Sequence, residues 1–284
     1  MLPRFREILR PLQVEEAVAL LQRPGIRSAA LAGGTSLLQS PDPAIEAVID
    51  LQALPLQEVQ ATPQGLRLGA MVRLQRLIDH PAAEPFAGGL LAEAARRSKP
   101  QTLRQAATVG GCAAAAESAD ALLLALLALK AQLTLHRPQP TSLPLAAFLP
   151  QREALLSQGA LLTELTLPWP APRSGAALHA VARTSADGPI VMAAAAMTLA
   201  PNGAVQTARV LVGGLTPQPL PLPQVQATLV GRAPDDRAIR EAAAHLSVPH
   251  PPLSDARASG DYRLAVAPVA VRRALHLAAQ RAQG

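Results

Sequence analysis

Two short glycine-rich blocks constrain the fold of this 284-residue chain more than any other feature. The first is Ala32-Gly33-Gly34-Thr35-Ser36 and the second is Thr108-Val109-Gly110-Gly111, and each lies between apolar stretches. Glycine adopts backbone conformations that other residues resist, and its missing Cβ lets a ligand reach the amide N–H groups. Such a turn is able to hold a diphosphate. A glycine pair is also an ordinary connection between a strand and a helix, so neither block alone establishes a phosphate site.

The hydrophobic spacing of the first 170 residues predicts short strands and helices without strict alternation. Val14, Ala17, Val18 and Leu21 fall on one face of a predicted surface helix over residues 14–22. Further strands are predicted at residues 29–31, 47–50, 66–70, 132–136 and 159–167, and further helices at residues 72–80, 90–97, 113–116 and 120–130. The prolines of residues 137–150 break the pattern, so no regular element is predicted there.

A proline-rich stretch at residues 168–172 predicts a linker, because three prolines in five residues do not fit a regular ladder. The predicted domains are therefore residues 1–170 and 173–284. In the second domain, strands are predicted at residues 179–183, 191–199 and 209–213, and helices at residues 238–245 and 266–281. Asn202-Gly203 predicts a hairpin between two of the strands. This order favours an α+β fold that ends in an antiparallel sheet with a helical layer.

Composition excludes several classes of function. The net charge is +6, but the arginines are spread along the chain and aromatic residues make up 2% of it, so a base-stacking surface for nucleic acid is not expected. The single Cys112 cannot form an intramolecular disulfide, and no Cys/His spacing predicts a metal site. The N-terminal residues lack a secretory pattern and the apolar runs are too short to span a bilayer, which predicts a cytoplasmic protein without membrane insertion.

The two glycine blocks, in this order and spacing, resemble the FAD-binding medium subunit of the molybdenum hydroxylases. This family includes xanthine dehydrogenases, aldehyde oxidases and aerobic carbon monoxide dehydrogenases. Asp261-Tyr262-Arg263 and Arg272-Arg273-Ala274-Leu275 are similar to the close of the family's C-terminal domain. The resemblance implies an FAD-binding domain of the PCMH type over residues 1–170, with two subdomains divided near residues 55–65. It also implies a C-terminal domain of the carbon monoxide dehydrogenase flavoprotein type over residues 173–284.

The resemblance also implies which residues bind FAD. Residues of the first block would offer backbone amides and hydroxyls to the diphosphate, and residues of the second block would do the same from the other side. A later segment would approach the isoalloxazine ring. The implied residues are Ala32, Gly33, Gly34, Thr35 and Ser36, then Thr108, Gly110 and Gly111, and finally Asp187 and Ile190.

The chain departs from the family pattern at several of these places. Cys112 stands where most relatives have asparagine, and it fits either a small buried residue or a thiol activated beside the glycine pair. Ala115 and Ala121 stand where the family supplies a hydroxyl residue and an aspartate that helps to hold the cofactor. Asp120 lies one residue before that aspartate, and both Cys112 and Asp120 are included among the predicted FAD-binding residues. Each lost polar contact weakens binding by about 1 kcal/mol.

The function implied by the resemblance is electron transfer within a molybdenum hydroxylase complex. A large partner subunit would bind the molybdenum cofactor, and a small partner subunit would carry two [2Fe–2S] clusters. The FAD of this chain would take electrons from those clusters and pass them to an external acceptor, in a dimer of heterotrimers. No catalytic acid–base residue is expected in this chain. The alternatives are a flavin-free scaffold subunit, favoured by the departures, and a stand-alone flavoprotein oxidase.

Overall fold

The computed structural model describes residues 5–39, 42–184 and 187–284. Residues 1–4, which are part of the predicted N-terminal region without a leader, lie outside the described residues. The strands are β1 (Glu7–Leu9), β2 (Ser28–Leu31), β3 (Ala47–Asp50), β4 (Val59–Thr62), β5 (Gly65–Gly69), β6 (Gln132–Arg137), β7 (Gln139–Pro144), β8 (Leu161–Pro168), β9 (Ser174–Val181), β10 (Val191–Leu199), β11 (Val205–Gly213) and β12 (Leu220–Pro221). The helices are α1 (Val14–Leu21), α2 (Leu74–Asp79), α3 (Leu90–Ser98), α4 (Gln101–Arg104), α5 (Val109–Ala115), α6 (Ala121–Ala128), α7 (Leu145–Phe148), α8 (Arg152–Ser157), α9 (Pro223–Leu229), α10 (Asp236–Ala244) and α11 (Gly260–Gln283).

Contacts divide the chain into two compact units, each of which is assembled from three separate segments. The first unit contains residues 1–84, 99–116 and 130–168. The second unit contains residues 85–98, 117–129 and 169–284. Within the described residues, no helix is long and apolar enough to cross a membrane.

The first unit begins with a small parallel sheet of strand order β1-β3-β2. All four residues of β3 are buried, which is the usual state of a central strand in a parallel sheet. Ala17 and Val18 of α1 pack against Ile49 of β3. The predicted amphipathic helix and the predicted strands at residues 29–31 and 47–50 are therefore confirmed.

The second sheet of this unit is antiparallel, with strand order β4-β5-β8-β6-β7. Leu165 and Leu167 of β8 are fully buried and alternate with more exposed residues, as in a strand with one face on a core. β7 and α7 lie in the proline-bearing stretch where the sequence predicts no regular element, so that expectation was wrong. Because β7 is the edge strand, Pro140 and Pro144 interrupt no central ladder.

The second unit contains an antiparallel sheet of order β12-β11-β10-β9. The predicted hairpin is confirmed, since β10 and β11 pair across a turn in which Gly203 has a φ of +84°. On one face of the sheet, residues such as Ala193 and Val210 pack against Val271 and Leu275 of α11. The predicted antiparallel sheet with a helical layer is therefore confirmed.

The opposite face of this sheet is covered as well. Met192, Ala194 and Leu211 alternate with the residues that face α11, and they are also buried. α6 packs against β9, β10 and β11, while α3 packs against β9 and α6. All eight residues of α6 are buried. The sheet is thus enclosed between helices that come from distant parts of the sequence.

A buried arginine ties the start of α11 to the sheet. Arg263 is 1% exposed, and its Nη1 donates to the carbonyl oxygens of Ile190 at 2.7 Å and Gly214 at 2.9 Å. Its Nη2 donates to Asp255 at 2.6 Å. Hydrogen bonds from Arg257 and Arg263 hold the pKa of Asp255 well below its ordinary value. α11 begins at Gly260, six residues before the predicted start at residue 266, because Ser259 caps it by accepting from the N–H of Tyr262.

Candidate functional site

A cleft in the first unit brings the two glycine blocks together. Its lining includes the whole first block and all of the second block except Val109. The blocks are about seventy residues apart in sequence, so only the fold of the unit makes them neighbours. The predicted site residues that line the cleft are Ala32, Gly33, Gly34, Thr35, Ser36, Thr108, Gly110 and Gly111.

The first block is a turn that follows β2. Gly34 has a φ of +71°, a left-handed conformation that glycine adopts without strain. Gly33 approaches another segment so closely that a Cβ on it would lie 1.8 Å from the carbonyl oxygen of Ala106. The turn is closed by the N–H of Leu38, which donates to the carbonyl oxygen of Gly34 at 3.0 Å. Both glycines are therefore required by the backbone itself.

The turn leaves a row of hydrogen-bond donors available. The backbone N–H groups of residues 33–37 donate to no other described residue. The hydroxyls of Thr35 and Ser36, which are half-buried, also have no partner among the described residues. Consecutive free N–H groups in a turn form a concave site for an anion. This set of donors fits the diphosphate of FAD.

The second block is not a turn, contrary to the sequence prediction. Gly110 and Gly111 lie in the first turn of α5, and Thr108 is the residue that caps this helix. The N–H of Gly111 donates to Thr108 Oγ1 at 3.0 Å, and the N–H of Gly110 donates to the carbonyl oxygen of Ala70 at 2.9 Å. These amides already have partners. The second block therefore offers a ligand the hydroxyl proton of Thr108 and the space left by Gly110 and Gly111, which have no side chains.

The other predicted site residues do not line this cleft. Cys112 is a residue of α5, and its side chain is buried. Asp120 caps α6 by accepting from the N–H of Leu123 at 3.0 Å, and it also accepts from Ser98 Oγ at 2.6 Å. The roles of these residues in FAD binding stay predictions.

The segment predicted to approach the flavin ring lies in the second unit. Asp187 is exposed and pairs with Arg183 at 3.6 Å. Ile190 is buried, and its carbonyl oxygen accepts from Arg263. These contacts establish how the segment is held, while its proximity to a flavin stays a prediction.

Sequence reasoning missed one wall of the cleft. It is lined by Leu156, Ala160, Leu161 and Leu162, at the end of α8 and the start of β8. A strand is predicted at residues 159–167, but no pattern in the sequence indicates that its first residues face a cleft. Ala115 also lines the cleft, so one departure from the family pattern falls directly in its wall.

None of the described residues that line the cleft has an acidic or basic side chain. These residues offer an anion N–H and O–H dipoles, next to an apolar wall that limits the access of water. Within the described residues, no group of three or more His, Cys, Asp or Glu side chains is placed to hold a metal ion. The arrangement is therefore suited to binding an organic anion.

Two protein families together match nearly the whole chain. The family described as the FAD binding domain in molybdopterin dehydrogenase matches residues 3–170. The family described as the CO dehydrogenase flavoprotein C-terminal domain matches residues 176–278.

Full-length relatives agree with these matches. The carbon monoxide dehydrogenase medium chain of Hydrogenophaga pseudoflava is 30% identical, with 97% of each chain covered. The 6-hydroxypseudooxynicotine dehydrogenase complex subunit alpha of Paenarthrobacter nicotinovorans is 29% identical, with 95% of this chain and 93% of that chain covered.

Solved structures share the fold. A chain of the carbon monoxide dehydrogenase from Hydrogenophaga pseudoflava which lacks the Mo-pyranopterin moiety of the molybdenum cofactor superimposes with a TM-score of 0.91 at 29% identity, covering 99% of both chains. A chain of quinoline 2-oxidoreductase from Pseudomonas putida 86 gives a TM-score of 0.89 at 24% identity, covering 100% of both chains, and shows the same fold. On the basis of the matching families and full-length relatives, the chain belongs to the FAD-binding medium subunits of the molybdenum hydroxylase family.

Proposed function

We propose that this chain binds FAD in the cleft of the first unit, takes electrons from [2Fe–2S] clusters of a partner subunit and passes them to an external acceptor. The observation that carries the proposal is the row of N–H groups at residues 33–37, which line the cleft without another described partner. An anionic cofactor satisfies these donors better than water does when the donors are fixed in advance.

Different residues of the cleft have different roles in the binding of FAD. The turn at residues 32–36 holds the diphosphate through its N–H groups and the hydroxyls of Thr35 and Ser36. Thr108 donates its hydroxyl proton from the other side, since its oxygen already accepts from Gly111. The apolar wall formed by Leu156, Leu161 and Leu162 excludes water from the bound cofactor.

The second unit supplies the predicted flavin segment. FAD, when bound, supplies redox chemistry that no side chain of this protein provides. Arg263 fixes the carbonyl oxygen of Ile190, and Asp187 is held by Arg183. The role proposed for this segment, as the resemblance implies, is to set the access of the electron acceptor to the flavin edge.

The proposed partners are a large molybdopterin-binding subunit and a small [2Fe–2S] subunit, in a cytoplasmic dimer of heterotrimers. Relatives named as a medium chain and as a complex subunit support a multi-subunit assembly. The large subunit would determine the substrate of the complex.

The absorbance spectrum of the purified full-length chain tests FAD binding directly. We expect a flavin spectrum, with FAD identified by mass after acid release, at about one FAD per chain. Ser36→Ala removes one hydroxyl donor and raises the Kd for FAD by about fivefold. Ser157→Ala is the matched control, because Ser157 is exposed and donates to Ala154 within its own helix.

Two results would contradict the proposal. A colourless chain that takes up no added FAD, either alone or with its partner subunits, leaves the flavin-free scaffold as the function. If FAD binds, electrons given to the molybdenum subunit of the assembled complex must bleach the flavin absorbance. A flavin that stays oxidised in that complex rules out electron transfer through this chain.

A further inference from the structure

A second, more polar cleft adjoins the uncharged one in the first unit. The two clefts share Ala32, Gly33, Met71 and Thr108 in their linings. The second cleft adds the amide side chains of Gln52, Gln57 and Gln105 and the guanidinium-bearing residue Arg73. Among the described residues that line the two clefts, Arg73 is the one that is cationic. The positive charge of Arg73 therefore lies next to the turn at residues 32–36, which has no charged side chain.

The backbone places Arg73 directly beside the second glycine block. Arg73 and Thr108 form an antiparallel bridge, and the N–H of Leu74 donates to the carbonyl oxygen of Ala107 at 2.9 Å. The N–H of Val109 donates in turn to the carbonyl oxygen of Val72 at 2.9 Å. These bonds fix the Cα of Arg73 against the residue that caps α5. The long side chain of Arg73 thus starts from the rim that the two clefts share.

The guanidinium of Arg73 has no acidic partner among the described residues, and neither a hydrogen bond nor an ion pair engages it. Several other arginines of this unit are already engaged. Arg10 pairs with Asp50 at 2.7 Å, Arg104 donates to Gln75 at 3.2 Å, and Arg152 donates to the carbonyl oxygen of Ala116 at 3.3 Å. The positive charge of Arg73 is therefore free to act on an anion in the adjoining cleft.

We infer that Arg73 is the counter-charge for the diphosphate of FAD in this chain, an inference that rests on the proposed function. A diphosphate brings two negative charges, and N–H dipoles alone compensate them only in part. A guanidinium matches phosphate oxygens with two parallel N–H donors.

Binding titrations with the full-length apoprotein test this inference. Arg73→Gln is expected to raise the Kd for FAD about tenfold, as expected for the loss of one charge-assisted phosphate contact. ADP carries the same diphosphate, so its affinity falls by a similar factor, whereas the affinity for adenosine stays unchanged. Increasing salt weakens FAD binding less in this variant than in the wild type. Arg73→Lys, which keeps the charge but not the two-pronged geometry, gives an intermediate Kd.

Arg76→Gln is the matched control. Arg76 is also an exposed arginine without a described partner. It lies on α2 and shares the lining of a further cleft with Arg73, but it does not line the clefts that contain Gly33 and Thr108. Equal losses of FAD affinity in the Arg73 and Arg76 variants overturn the inference, because the position of Arg73 beside Gly33 and Thr108 then makes no difference. Wild-type affinity in Arg73→Gln overturns it as well. A wild-type chain that binds no FAD defeats the proposed function itself, and the inference with it.

Discussion

The four glycines of the two blocks are required for different physical reasons. Gly33 and Gly110 allow close approach, since a Cβ would lie 1.8 Å from Ala106 O in the first case and 2.7 Å from Ala70 Cβ in the second. Gly34 is required by its positive φ. Gly111 has neither constraint, and a Cβ there would meet only Thr108 Oγ1 at 3.0 Å. The remaining reason for a glycine at position 111 is the space that it leaves in the cleft.

We predict that Gly111→Ala separates stability from FAD binding. Alanine favours the helix over glycine by about 1 kcal/mol, which offsets the crowding of the capping hydroxyl, so the free energy of unfolding changes by less than about 1 kcal/mol. The added methyl group narrows the cleft and raises the Kd for FAD about tenfold. Thermal unfolding of the apoprotein and titration with FAD measure the two effects separately.

Gly33→Ala is the contrasting variant at this scale. Its Cβ meets backbone atoms, which cannot rotate away, so we expect a loss of about 3 kcal/mol in the free energy of unfolding. If Gly111→Ala leaves FAD affinity unchanged, the second block is a packing feature and its place in the binding site is wrong.

Residue types could be predicted from the sequence, but their hydrogen-bond state could not. The glycine pairs and hydroxyls stand out in a single pass along the chain. Nothing in the pattern reveals that the amides of Gly110 and Gly111 already donate to Ala70 and Thr108. That depends on a contact between α5 and the segment after β5, which only the fold creates.

Asp120 acts at the scale of one element, because it caps the buried helix α6. Its carboxylate accepts from Leu123 N–H at 3.0 Å and from Ser98 Oγ at 2.6 Å. We expect Asp120→Ala to cost about 1 kcal/mol in the free energy of unfolding, while Asp120→Asn, which retains a cap, costs less. Chemical denaturation of the apoprotein measures both values.

The same pair of variants decides whether Asp120 also takes part in FAD binding, as the resemblance implies. A residue that only caps α6 leaves the Kd for FAD unchanged in Asp120→Asn. A rise in that Kd without a loss of stability contradicts the purely structural role and supports the predicted contact.

Elements were predictable where periodicity or turn chemistry is strong. The apolar face of α1 and the Asn202-Gly203 turn both have a local cause, and both are found in the structure. β7 was missed because an edge strand tolerates prolines and shows no buried face. The start of α5 was missed because glycine has a low helix propensity, so a capped helix with a glycine pair in its first turn resembles a loop.

At the scale of the whole molecule, the two compact units do not correspond to two consecutive stretches of the sequence. α3 and α6 lie within residues 3–170, which match the FAD-binding family, yet both pack in the second unit with the sheet of β9, β10 and β11. The fully apolar sequence of α6 predicts a buried helix but does not say what covers it. The predicted domain boundary between residues 170 and 173 therefore stays a prediction.

Truncation of the chain tests how far that boundary is also a folding boundary. A fragment of residues 1–170 keeps α3 and α6 but lacks β9, β10 and β11, so α6 loses the sheet that covers it. Each leucine of α6 that becomes exposed costs about 2 kcal/mol, which exceeds the usual stability of a domain when several are exposed together. We expect the fragment to aggregate or to bind a hydrophobic dye, and to lose the cooperative unfolding of the full chain. Size-exclusion chromatography, dye fluorescence and thermal unfolding measure this, with the full-length chain as the control. A monomeric fragment that unfolds cooperatively at the temperature of the full chain would show that residues 1–170 fold independently, and that the packing of α6 on the sheet contributes little.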